Sequence, residues 1–261
     1  PQGIIVGVGP EGSGKTTPLY AMLKEIACPA VKTFAFADPP VDIPYVTPIT
    51  VSEPMYPETL RPIDALRAMY RGGDPDVVFY DSVRDSQTAQ LILEIALAGH
   101  LILTTVEAPN LSAALTMSAG ESIEPLLLTR ALVGIIVQRL ALKICPNCKE
   151  PVKMDSRDPA FQRVQEMARL GGYVLPADTV FYRGRGCPEC KGRGIRGRIG
   201  LFQVISWSET LSQALLSGAT GEEIEHIAID AGSPTVLADG IRKAAEGIIT
   251  IDEAIRVGSV G

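Results

Sequence analysis

Hydrophobic positions in the first hundred residues recur in two textures. The run GIIVGV (Gly3 to Val8) is short, continuous and β-branched, and VKTFAFA near Val31, DVVFYD near Val77 and HLILTTV near Leu101 repeat it. Such runs predict strands buried on both faces of a parallel sheet. Between them lie stretches of helical period such as AQLILEIALAG (Ala89 to Gly99). Strands alternating with helices predict βαβ units and an α/β fold with a parallel-rich sheet covered on both sides. From Asp38 to Pro62 repeated prolines break the rhythm. That segment predicts an extended loop or edge hairpin, because proline cannot donate to a central ladder.

The pattern changes after Leu142. CPNCKEP is followed by a polar segment with a helical insertion around Phe161 to Leu170, then by CPECKGRGIRGRIG. Beyond Leu201, Ser206 with Glu209, Thr220 with Glu223 and Thr250 with Glu253 have capping-box spacing and predict three or four short helices. The expected organisation is a nucleotide-binding core over residues 1–142, a metal-binding subdomain over 143–200 and a helical region over 201–261.

A chain of 261 residues with an apolar fraction of 46% can bury a substantial core. Its longest apolar run, LLLTRALVGIIVQRL, is broken by Arg130 well short of the ~20 residues a membrane span needs. The N-terminus has neither a basic segment nor a cleavage site of the secretory kind. A net charge of −6 argues against a general nucleic-acid coat, although basic residues concentrate between Arg183 and Arg198. Arg193, Arg196 and Arg198 suit either a solvated face or contact with an acidic partner or nucleic acid.

Gly9 to Thr16 reads G-x-x-x-x-G-K-T between a predicted strand and a predicted helix, the context in which this pattern grips a nucleoside triphosphate. Gly9, Gly12, Ser13, Gly14 and the residues through Thr17 would turn backbone N–H groups onto the phosphates of ATP or ADP. Lys15 would reach the β- and γ-phosphates, and Thr16 would take Mg²⁺. Pro18 falls in the first helical turn, where a missing N–H costs no intrahelical bond. Cys145, Cys148, Cys187 and Cys190 form two C-P-x-C hooks suited to a structural, tetrahedral Zn²⁺. Cys28 remains, best read as a small buried side chain.

Together these motifs resemble the secretion ATPase family of type II secretion and type IV pilus assembly. DPDVVFYDSVRD is similar to the family's Walker B segment DPDxxxxGExRD, AGHLILTTVEAPN to its histidine box and VGIIVQRLALKICPNCKEP to its QRLxRxLCxxCK junction. FYRGRGCPECKGRGIRGRIGLFQVI and TVLADGIRKAAEGIITIDEAIRV continue the likeness to the end. The resemblance implies a RecA-like core and ATP bound between subunits of a hexameric ring. It also implies work on pilins from the cytoplasmic face of an inner-membrane platform. A further domain ahead of the core is implied as well, and this chain, opening on the core's first strand, is expected to lack it.

Three departures cluster on the reaction centre. Ser82 stands where the family has the Walker B glutamate, Glu107 where it has the box histidine, and ADPPVD from Ala37 replaces its acidic box EDPxE. Ser82 cannot act as a general base near neutral pH. Asp81, at the family's glycine position, is placed to hold Mg²⁺. Arg67 and Arg71 match the family's LRxxLR helix and suit either surface ion pairs or charge supplied to a neighbouring phosphate. Arg84 and Asp85 retain its RD pair, expected to form a salt bridge or helix cap. Two functions compete: an ATPase whose base is Asp38, Asp81 or Glu107, and a nucleotide-binding structural or regulatory subunit with slow or absent hydrolysis. A nucleic-acid motor is the weaker third.

Overall fold

The computed structural model describes residues 2–50, 61–118, 123–152 and 156–259. Strand β1 (Gly3–Gly9) leads through a loop into α1 (Thr16–Ile26). Then follow β2 (Thr33–Ala37), β3 (Val46–Thr50), α2 (Pro62–Gly73), β4 (Val77–Tyr80), α3 (Ser86–Leu97), β5 (Leu101–Glu107), α4 (Leu111–Ser118), α5 (Pro125–Ala131) and the long β6 (Leu132–Ile144). A hairpin of β7 (Lys149–Val152) and β8 (Phe181–Gly184) brackets α6 (Pro159–Leu170). The chain continues through β9 (Ile195–Ser206), α7 (Glu209–Leu216), α8 (Gly221–Asp230), α9 (Val236–Ala245) and α10 (Ile251–Gly258).

Seven strands form one sheet in the order β3-β2-β4-β5-β1-β6-β9, parallel from β3 to β1. All of Val77 to Tyr80 and all of Leu101 to Thr105 are buried, which is why these strands read as unbroken apolar runs. Crossovers leave the C-terminal ends of β1, β4 and β5 side by side, with Tyr80 opposite Thr104 and Gly9 opposite Glu107. Ligands of open α/β sheets sit at such ends.

Two expectations need correction. The proline-rich segment does supply an edge strand, β3, but it pairs parallel with β2 and is therefore not half of a hairpin. Pro48 is tolerated there because an edge strand leaves one side of its backbone unpaired. Residues 51–60 of that segment lie outside the described residues. Ser206 does not cap a helix: it ends β9, and Ser208 caps α7 by accepting from the Leu211 N–H. The box at Thr220 and Glu223 is reciprocal, whereas Thr250 caps α10 while Glu253 accepts from the Leu142 N–H instead. Thr235 caps α9, so four short helices follow β9.

Contacts divide the chain into two compact units. The first comprises residues up to Gly9, Lys15–Ile136 and Ser206–Ile224; the second comprises Pro10–Gly14, Val137–Ile205 and Glu225 onward. In the first, Leu19 and Leu23 of α1, Phe36 of β2 and Phe79 of β4 are fully buried, and Tyr20 meets Phe79 edge-on at 4.9 Å. In the second, Phe161 and Phe181 anchor α6 and β8, and α9 packs on α10. The outer edge of β9 is covered by α9 side chains: Asp239 accepts the Phe202 N–H at 2.9 Å, and Lys243 donates to the Gly200 carbonyl at 2.7 Å. Lys243 also pairs with Asp239, which accepts from Arg242 at 2.6 Å, so the buried carboxylate and ammonium satisfy each other. No helix among the described residues is long and apolar enough to cross a membrane.

Candidate functional site

Between β1 and α1 the loop turns through Gly12 and Gly14, whose φ angles of +70° and +82° belong to the left-handed region that glycine enters without steric cost. The Ser13 N–H closes a turn onto the Pro10 carbonyl at 3.2 Å. Helix α1 then starts with Thr16, Thr17 and Pro18, with no side-chain cap and no carboxylate in its first turn. Its N-terminal amides are thus left to an outside anion, and its dipole favours negative charge there. The Ser13 hydroxyl is buried without a hydrogen-bond partner. A glycine-turned loop, an uncapped helix start and an unsatisfied hydroxyl fit a phosphate chain, with Lys15, Thr16 and Thr17 following in sequence.

At the end of β4, Asp81 is pinned from both neighbouring strands. Its N–H donates to the Phe36 carbonyl at 2.9 Å, and its Oδ1 accepts from the Thr105 hydroxyl at 3.2 Å. That hydroxyl accepts the Ser82 N–H at 3.0 Å, and the Val83 N–H reaches the Thr105 carbonyl at 3.0 Å. Burial, reinforced by the Asp81 charge, pushes the Tyr20 phenol up to about 12. A carboxylate held by a neighbouring hydroxyl beyond the end of a sheet strand is the kind of oxygen donor that a hard cation such as Mg²⁺ takes.

Ser82 is different. Its φ of +60° takes it out of the strand, and its Oγ accepts from Arg84 Nε at 3.3 Å. Asp85 caps α3, accepting from the Thr88 N–H at 2.8 Å and the Thr88 hydroxyl at 2.6 Å. Partial burial opposes ionisation, but these Thr88 bonds hold the Asp85 carboxyl below its ordinary range. Asp38, Asp81, Ser82, Arg61, Arg84 and Asp85 border a common groove of about 580 Å³. Glu107 lies beside Gly9 in the sheet register, at the exposed end of β5, and does not line that groove. Nor do Arg67 and Arg71, both on α2; Arg67 pairs with Asp64 at 3.6 Å.

In the second unit the four cysteine sulfurs lie within 4.8 Å of one another. Cys145 to Cys187 is 3.8 Å, Cys148 to Cys190 is 3.9 Å and Cys187 to Cys190 is 3.7 Å. A tetrahedron with Zn–S of about 2.3 Å has sulfur–sulfur edges of roughly 3.8 Å, so the donor set fits Zn²⁺ with no open position. Backbone N–H groups aim at the sulfurs: Gly186 at Cys148 (3.3 Å), Cys187 at Cys190 (3.2 Å) and Gly194 at Cys190 (3.1 Å). Burial pushes the Cys148 thiol up to about 11. At Cys190 burial also opposes ionisation, yet the Cys187 and Gly194 amides outweigh it and bring the thiol down to about 6. Gly184 and Gly194 cross so closely that a Cβ on Gly184 would lie 1.9 Å from the Gly194 carbonyl oxygen, which explains the glycine-rich hook.

The family described as "Type II/IV secretion system protein" matches residues 1–256. The chain belongs to this family. It is 34% identical over 258 residues to the "Type II secretion system ATPase E" of Vibrio cholerae, covering 98% of this chain and 48% of that protein. It is likewise 34% identical over 257 residues to the "Type IV pilus assembly ATPase PilB" of Thermus thermophilus, covering 98% of this chain and 28% of that one. The chain thus spans about half the length of the first relative and less of the second. Its fold is that of the Legionella pneumophila ATPase DotB, with a TM-score of 0.64 at 17% identity over 97% of this chain and 59% of that one.

Within this secretion-family fold the four cysteines come together and Asp81 borders the groove, as do Arg61 and, through its bond to Asp81, Thr105, neither of which the sequence pattern singled out. Thr105 could have been suspected as one of two adjacent buried hydroxyls, Thr104 and Thr105, that follow the aliphatic start of β5. Arg61 gave no signal, since it precedes α2 and points to the groove only through the fold. The arginines after the second hook serve their own lobe in part: Arg193 donates to the Cys190 carbonyl at 3.4 Å, and Arg196 pairs with Glu189 at 3.4 Å.

Proposed function

We propose that this chain is the nucleotide-binding region of a motor subunit of type II secretion or type IV pilus assembly, and that it holds Mg-ATP while hydrolysing it slowly or not at all. In this reading residues 1–142 are a RecA-like core, 143–200 a zinc-stapled lobe and 201–261 a helical tail. The backbone from Gly9 to Thr17 cradles the phosphates, Lys15 balances their charge, and Thr16 with Asp81 holds Mg²⁺, whose contribution is to neutralise charge between the β- and γ-phosphates. Half-buried Arg67 and exposed Arg71, both on α2, do not line the groove and suit a role across a subunit interface in a hexameric ring. The proposal includes cytoplasmic placement on an inner-membrane platform, and with an acidic chain no nucleic acid is expected.

One observation carries the slow-hydrolysis reading: the residue at the base position is a serine in a left-handed backbone, its hydroxyl engaged by Arg84. In this reading Asp81 does not replace it, because its Oδ1 is engaged by the Thr105 hydroxyl. A second reading, a working ATPase, is favoured by Asp38, which shares the groove with Asp81. Calorimetry tests the binding half: Mg-ADP should bind the chain and bind Lys15→Ala far more weakly, and equal affinities would contradict it. Turnover of Asp38→Asn separates the two readings: a collapse from brisk wild-type turnover would establish Asp38 as the base.

A further inference from the structure

Among the described residues only two buried side-chain polar atoms lack a hydrogen-bond partner, Ser13 Oγ and Gln138 Oε1, and both belong to the same place. Gln138 points in from β6 with only 3% of its surface exposed, and Ser13 in the loop has 4%. The Gln138 amide lies against the loop: a Cβ on Gly14 would come within 2.9 Å of Nε2. Glycine at 14 therefore serves the approach of Gln138 as well as the left-handed turn. Buried unsatisfied groups are rare in native proteins, and two at one loop indicate a hydrogen-bond set completed by something else.

From Gln138 the strand runs on without interruption to Ile144, and the first cysteine follows immediately. Seven residues of strand span roughly 23 Å. The far end is clamped: the Leu142 N–H donates to Glu253 Oε1 at 2.8 Å, Ile144 to the Ile248 carbonyl at 2.8 Å and Cys145 to the Gly194 carbonyl at 2.9 Å.

Resting on the phosphate-loop reading above, we infer that Gln138 is a positioning residue that braces Gly14 and couples occupancy of the loop to the cysteine lobe along β6. A nucleotide that satisfies Ser13 fixes the loop, the loop fixes the Gln138 amide, and the stiff strand carries the ordering to Cys145. Coupling of this kind is reciprocal: a lobe stiffened by nucleotide must in turn favour the bound loop.

The test compares the zinc-loaded chain with Gln138→Met, which keeps length and removes both polar atoms. Calorimetry with Mg-ADP and hydrogen exchange across 145–150 and 187–194 are read on each, with zinc content as the check on folding. Wild type should show slower exchange in both segments on adding Mg-ADP. In Gln138→Met affinity should drop about tenfold as the loop loses its brace, and the nucleotide-dependent protection should vanish while one zinc per chain remains. Unchanged affinity, or protection that survives the substitution, overturns the inference and leaves the phosphate grip standing. A wild type that binds no Mg-ADP overturns both. If Gln138→Met loses zinc, Gln138→Asn, whose shorter amide withdraws the brace without adding an apolar group, is read by the same two outcomes.

Discussion

The cysteine cluster and the end of β4 differ in how far their parts agree. At the cysteines, ligand type, spacing, sulfur separations, aimed amides and crossing glycines all fit one tetrahedral ion. Beyond β4, two adjacent residues part company: Asp81 accepts from the Thr105 hydroxyl, and Ser82 turns into a left-handed backbone and accepts from Arg84. In the proposed reading, binding and chemistry rest on different atoms even one residue apart, so a chain can keep the first and lose the second. The proposed phosphate grip stands with the cysteines, since it would use backbone N–H groups that substitutions at 82 and 107 do not touch.

The largest effect should come from breaking the concordant side. Cys190→Ala is expected to abolish stoichiometric zinc and to destabilise the chain by several kcal/mol, because apparent zinc free energies of about 10–16 kcal/mol feed directly into folding. Elemental analysis and thermal melts check this; a variant that melts like wild type would place the lobe's stability elsewhere. Next is Asp239→Ala, which strands Lys243 in the interior without its carboxylate and should cost about 3–5 kcal/mol in denaturant titration. It acts on the support of β9 and should leave the four cysteines able to bind one zinc per chain.

Lys15→Ala should weaken Mg-nucleotide binding about 100-fold, the scale of hydrogen bonds to a charged group, while zinc content stays at one. The smallest effect is at Asp85. Asp85→Ala removes the α3 cap and should cost about 1 kcal/mol at neutral pH. Because the folded-state carboxyl is held below its unfolded value, the cap is fully present above the ordinary carboxylate range and is lost as pH falls through the folded value. Stability curves of the two proteins should therefore converge in acid; a constant gap would mean that the cap does not depend on the charge.

Much of this contrast was legible in the sequence, and for a physical reason. Short aliphatic, β-branched runs alternating with helical periods favour buried strands, glycines at fixed offsets before a lysine leave few other uses, and paired C-P-x-C hooks are local. What escaped were relations between distant segments. Thr105 reaches Asp81 only because crossovers set β5 beside β4, and Gln138 meets Gly14 only because β6 passes the loop. Ser206 misled because Ser208, two residues on, offers the same chemistry to the same helix, and capping spacing cannot choose between them. Period alone also cannot set the direction of β3, since a parallel and an antiparallel edge strand have the same pattern.

The most direct test is steady-state phosphate release at Mg-ATP concentrations that saturate measured binding, for the wild-type chain and for Ser82→Glu. General-base assistance is typically worth ~10²–10⁴-fold. The account predicts that wild type binds Mg-ATP but turns it over barely above background, and that the glutamate raises turnover toward that range with little change in affinity. Brisk wild-type turnover that is indifferent to the substitution would contradict it and show that another carboxylate of the groove performs the chemistry.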